Sequence, residues 1–290
     1  MSKTALAMLS LILVSQICLG QQGQMTRVGD AFRGLIKEVR SETVQVRIEQ
    51  GVPIEGPRTL NQIVTYSDNG LRRETVSYVR GSIQHRKTIE TYLPGGNRES
   101  LSVYDAEGTL ISKSVYEYDH SGQPLVETQY NADGSVKEKK INQWSNPTGG
   151  LTAITKTTGD GTTLETSINS NNFGTKNSPK RSVWTTTKPD GSRIENNFEV
   201  DSSGTHNDQQ SYYAPDGSLT GRRVSLVDAN VTRLESTVYD GTDNIKNRTL
   251  ETREYDSHHN LIKITNYRWN ATKNEFEPFT IAYHTIVYAS

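Results

Sequence analysis

Tyr104-Asp-Ala-Glu-Gly-Thr-Leu110 is one copy of a phrase that returns as Tyr118-Asp-His-Ser-Gly-Gln-Pro124, Tyr130-Asn-Ala-Asp-Gly-Ser-Val136 and Tyr213-Ala-Pro-Asp-Gly-Ser-Leu219. Looser copies run through Ser67 to Gly70, Lys188 to Gly191 and Val200 to Gly204. Each has the chemistry of a tight hairpin. Pro, where present, presets φ for the first central position, Asp caps the turn, and Gly accepts the left-handed conformation that follows. Asp105 and Asp119 are therefore read as turn caps. Gly70, Gly108, Gly122, Gly134, Gly161, Gly191, Gly204 and Gly217 are read as positive-φ positions, where a β-branched replacement harms folding and no active site.

Turn signals recur every 12 to 17 residues from about residue 66 to 270. That spacing leaves strands of ordinary length and no room for a helical crossover, so neighbours run antiparallel. The expectation is an all-β meander of about sixteen short strands. Within the strands neither face is consistently apolar: Ile111, Lys113, Val115 and Glu117 alternate with Ser112, Ser114, Tyr116 and Tyr118. A thick sandwich core does not fit such strands, and a wide, curled or spiralled single sheet held by cross-strand pairs does. A closed barrel and a sandwich are the alternative ways to end so broad a sheet.

The ends of the chain differ from this repeat. Lys3 followed by the apolar run from Ala5 to Ile17 reads as a secretory signal peptide over residues 1–20, and no later stretch is long and apolar enough for a spanning helix. Cys18, the only cysteine, lies in that leader; a lipidated form would put a small residue before it, and Ile17 stands there. Removal of the leader leaves an exported chain without disulfides. Residues 21–57, with Phe32, Leu35 and Ile36, are read as an N-terminal segment and cap, and residues 58–290 as the repeat domain.

Composition narrows function mainly by exclusion. Net charge is −1, mean hydropathy −0.68, and 14 tyrosines accompany abundant Thr, Ser and Asn. The tyrosines and β-branched residues argue for a folded chain, thinly cored, and the interspersed charges give no footprint for nucleic acid. Neither the histidines nor the turn aspartates have metal-ligand spacing, so no metal or cofactor is expected, and no nucleophile motif stands out.

The Tyr-Asp-x-x-Gly-x-Leu copies at Tyr104, Tyr118 and Tyr130, with degenerate ones at Tyr239 and Tyr255, resemble the YD repeats of rearrangement-hotspot (Rhs) and teneurin-like proteins. The resemblance spans roughly residues 58–270. It implies a β-sheet strip that spirals into a shell in an extracytoplasmic, bacterial setting. The chain is too short to enclose a toxin and carries none, so toxicity is not implied.

The sequence thus reads as an exported, non-catalytic repeat protein of the cell envelope or exterior, secreted, periplasmic or surface-held, with a glycan or an envelope protein as ligand. Tyr116, Tyr212, Tyr213, Tyr267 and Trp269 are the candidate ligand-binding aromatics. An outer-membrane β-barrel has the same strand arithmetic, but stretches such as 136–140 and 205–211 lack its apolar face. A secreted hydrolase would need two convergent acids, for which Glu90 and Glu99 are examples.

Overall fold

The computed structural model describes residues 35–79, 83–144, 151–172 and 180–288. The signal peptide expected over 1–20 lies outside these. Nineteen strands follow one another: β1 (Ile36–Glu49), β2 (Val52–Glu55), β3 (Thr59–Tyr66), β4 (Arg72–Val79), β5 (Ile83–Tyr92) and β6 (Arg98–Tyr104). Then come β7 (Leu110–Tyr118), β8 (Pro124–Asn131), β9 (Val136–Trp144), β10 (Leu151–Thr158), β11 (Thr163–Asn172), β12 (Lys180–Thr187) and β13 (Arg193–Val200). The last are β14 (His206–Tyr213), β15 (Leu219–Val227), β16 (Arg233–Asp240), β17 (Ile245–Tyr255), β18 (Leu261–Asn270) and β19 (Glu275–Tyr288).

From β3 to β19 each strand pairs antiparallel with the next, as a meander should. The sheet does not remain open. β1 lies between the two ends, pairing Thr43 with Ala282 on β19 and Val39 with Val64 on β3. Eighteen strands thereby close into a barrel, and β2 is a short hairpin extension whose backbone pairs with β1. This corrects the open or spiralled sheet, for which about sixteen strands were expected. The segment read as a cap supplies the strand that seals the wall. The physical reason is the edge: unpaired N–H and C=O groups along β3 and β19 find partners in β1, and closure removes both edges. A sandwich is also excluded, because every extensive contact joins hydrogen-bonded neighbours.

The turns explain why the meander is so regular. Asp119 Oδ1 accepts from Ser121 N at 2.8 Å, Ser121 Oγ at 2.7 Å and Gln123 N at 2.9 Å. Asp105 Oδ1 accepts from Thr109 N at 2.7 Å. The eight glycines named above all have φ between 69° and 90°.

Pairing also fixes which side chains share a face. Ser182, Phe198, Asp208, Ser225, Ser236, Thr249 and Arg268 are successive partners across β12 to β18. This row starts low on β12 and ends near the opposite rim on β18, so the strands are tilted, as closure requires. Asp105 bonds towards the following strand through both N–H and C=O, and Leu101 and Val103 share its phase. Taken with the right-handed coil of closed sheets of L-residues, the direction of climb puts the face bearing Leu101, Ser182 and Arg268 on the inside. Drawn as a circle, eighteen strands about 4.8 Å apart and tilted about 40° enclose a ring roughly 35 Å across, wide enough for an aqueous lumen.

Candidate functional site

Both faces of the wall are polar. Arg40, Glu74, Lys113, Lys139, Glu195 and Arg233 point outward, and Arg73, Glu90, Lys140, Glu165, Arg223 and Glu251 point inward. Large apolar side chains on the outer face stand singly or in isolated cross-strand pairs such as Val126 with Ile141 and Ile63 with Val76. Leu226, 47% exposed, lies between Asn207 and Glu235, and Val287, 45% exposed, faces Glu38. Few side chains are fully buried, and every residue of β10 is half-buried, as in a single layer wetted on both sides.

The densest side-chain chemistry sits inside, near the rim that carries the Asp119 turn. Glu90, 7% exposed, is held between two guanidiniums: Arg73 Nη1 lies 3.1 Å from Oε1 and Arg98 Nη2 lies 2.8 Å from Oε2. Tyr92 donates its hydroxyl to Oε2 at 2.8 Å. From Arg98 the network continues to Tyr116 OH at 3.4 Å, which donates to Glu127 at 3.2 Å, while Tyr118 OH donates to the Arg98 carbonyl at 2.7 Å. Burial and the neighbouring Glu90 carboxylate push the Tyr92 hydroxyl up to about 12. Burial raises Tyr116 as well, against the pull of Arg98.

This clasp joins β4 to β8 and continues into the small apolar cluster at the seam, where Ile36, Val39, Val64 and Tyr66 meet Ile286 and Tyr288. Both Glu90 oxygens are already engaged, and Glu99 is exposed on the next strand. The arrangement can stiffen the rim and offer cationic and phenolic donors to the lumen. Among the described residues no group of three metal-ligating side chains gathers.

The five candidate aromatics do not converge. Tyr116 and Tyr212 face inward, on β7 and β14; Tyr213, Tyr267 and Trp269 face outward. Tyr213 is covered by Arg193, 4.0 Å from its ring centre, and Trp269 by Arg248 at 4.3 Å with Phe276 edge-on at 5.0 Å. Tyr212 donates to Gln210. The neighbours Tyr212 and Tyr213 diverge because side chains alternate along a strand. The Arg73, Glu90 and Arg98 clasp was not anticipated, since it assembles from three strands whose registers the sequence does not state.

No family model matches the chain, and no curated protein does. Solved structures do. A porin-like protein from Bacteroides uniformis aligns over 87% of this chain and 98% of its own, at 10% identity and a TM-score of 0.41. The TcdB2-TccC3-Cdc42 structure aligns over 74% of this chain and 17% of its own, at 13% identity and a TM-score of 0.13. TcdB2-TccC3 without its hypervariable C-terminal region covers 80% and 19%, at 12% identity and 0.13.

Proposed function

We propose that this chain is an exported hollow β-barrel of the cell envelope or exterior that works without catalysis, as a binding or structural module for a glycan or an envelope protein. The observation that carries the reading is the closed wall with charged side chains on both faces. A lumen lined by guanidiniums, phenols and amides offers hydrogen bonds over a broad area, and an outer face of the same kind keeps the barrel in water. The hairpin phrase supports kinship with YD-repeat proteins, with a short wall closed on itself in place of a long spiral.

An outer-membrane barrel is the second reading. Closure and strand number favour it, as do the aromatics Tyr104, Tyr130, Tyr213, Tyr239 and Trp269 near one rim of the outer face. A lipid-facing barrel needs an apolar band about 25 Å tall, and the outer charges interrupt any such band. Fractionation of cells expressing the full chain separates the two. Release into buffer without detergent supports the aqueous module; recovery only in detergent, as a heat-modifiable membrane species, overturns it in favour of the second reading.

A further inference from the structure

The inner wall is not chemically uniform. Opposite the charged clasp, β11 to β14 present Ser167, Asn169, Trp184, Thr186, Asn196 and Gln210 to the lumen, with the charged Glu165, Asp208 and Arg223 at the margins. Trp184, Asn196, Gln210 and Arg223 are direct partners on successive strands. Such a row spans about 15 Å, at about 4.8 Å per strand. Tyr212 stands beside it, one register step towards the rim.

Trp184 is only half-buried, and among the described residues neither its ring nor its Nε1–H has a partner. Of the other aromatics discussed above, Tyr116 and Tyr212 are hydrogen-bonded in the wall and Tyr213 and Trp269 are covered by arginines, while Tyr130 and Tyr267 lie on the outer face. Asn196 next to it likewise has no side-chain partner. Asn169, by contrast, is fixed by the Leu151 carbonyl at 3.0 Å and by Ser182 at 3.2 Å, and Ser167 by Thr186 at 2.7 Å. An open indole face flanked by a free carboxamide, a second amide and a guanidinium, with the carboxylates Glu165 and Asp208 at the margins, matches a ligand with apolar C–H faces and many neutral hydroxyls. A charged chain would find better partners at the clasp.

We infer that the Trp184, Asn196, Gln210 and Arg223 row is a luminal subsite for a neutral oligosaccharide, with Trp184 as stacking platform and the amides and Arg223 as hydroxyl partners. The inference rests on the reading of the barrel as a binding module and names its site and ligand class.

The test titrates the purified full-length protein with cellohexaose, maltohexaose and chitohexaose, and with a hexagalacturonate as the acidic comparison, following tryptophan fluorescence and heat. Binding of at least one neutral hexasaccharide with a change in tryptophan emission is expected. Trp184→Phe should remove the emission change and weaken binding at least tenfold, Asn196→Ala should weaken it several-fold, and Trp269→Phe on the outer face should leave it intact. Circular dichroism checks that each variant folds, and Asn196→Ala carries the test if Trp184→Phe does not. Neutral binding that survives both inner variants overturns the subsite while leaving the binding-module reading in place. Preference for hexagalacturonate, or no binding by any probe, also overturns it; detergent-free release judges the parent reading separately.

Discussion

Tyr104 and Tyr118 hold the same place in the same phrase, one residue before the Asp of the turn, yet face opposite sides of the wall. Tyr104 points outward with Lys87 over its ring at 5.3 Å, and Tyr118 points inward to the Arg98 carbonyl. Asp in each phrase must bond towards the next strand, as Asp105 and Asp119 do, so the Tyr before it bonds backwards. On strands running in opposite directions that places its side chain on opposite faces. One repeated motif therefore lays tyrosines outside one rim and inside the other.

The turn geometry makes a clean prediction. Gly134 has φ 84° with nothing within 4 Å of an added Cβ, so Gly134→Ala meets only the backbone penalty of the left-handed region, about 1–2 kcal/mol. Gly95 is equally open but does not adopt positive φ, and Gly95→Ala should change stability by less than about 0.5 kcal/mol. Urea midpoints of the two variants should differ accordingly. Equal midpoints would show that the phrase does not depend on its glycine.

The clasp should behave as a unit. Glu90→Ala leaves Arg73 and Arg98 facing each other without their anion, and should cost about 2–3 kcal/mol, below the range for fully buried pairs because both arginines are partly solvated. Replacing all three by Leu or Met should cost less than the sum of the single changes. Additive losses in denaturant melts would mean that the three residues act independently.

Acid should weaken the fold. In Asp119, Asp133, Asp190 and Asp216 the bonds from the serine two residues on, with nearby backbone N–H groups, hold the carboxyl below its ordinary 3.8. A lowered native pKa gives stability that is present above the unfolded value and lost as pH falls through the native one. Asp208 acts oppositely: crowding by the wall raises it despite Arg223, so its contribution declines as pH rises. The turn aspartates outnumber it, and the melting temperature should fall below about pH 4. Ser121→Ala with Ser135→Ala should flatten that fall; an unchanged profile would remove the turns as its cause.

What could be read from the residues follows from the range of the interactions involved. A turn is written in four or five adjacent positions, so Asp119 and Gly122 announce their hairpin and the strands between turns follow. Closure depends on Thr43 meeting Ala282, and nothing near either residue encodes a partner so distant. Inside and outside were equally hidden, because a wall wetted on both faces has no apolar alternation to orient it. The divergence of Tyr212 and Tyr213 was legible from the strand period. The gathering of Arg73, Glu90 and Arg98 required the registers of two hairpins.

Closure can be tested chemically at the seam. Thr43 and Ala282 are direct partners on the inner face, beside Ser41, which bonds His284 Nδ1 at 2.8 Å. Directly paired antiparallel residues have Cα atoms about 4.5–5.5 Å apart, inside the range a disulfide spans. Made together with Cys18→Ser, Thr43→Cys with Ala282→Cys should give a protein whose two thiols disappear on mild oxidation of the folded state. The bond would tie β1 to β19 across nearly the whole chain, and chain entropy alone sets an upper stabilisation of about 5 kcal/mol. The oxidised protein should run faster on a non-reducing gel and unfold at higher urea than the reduced one. In an open or spiralled sheet these residues would lie on separate edges, and persistently reactive thiols in the folded protein would rule out the closed barrel.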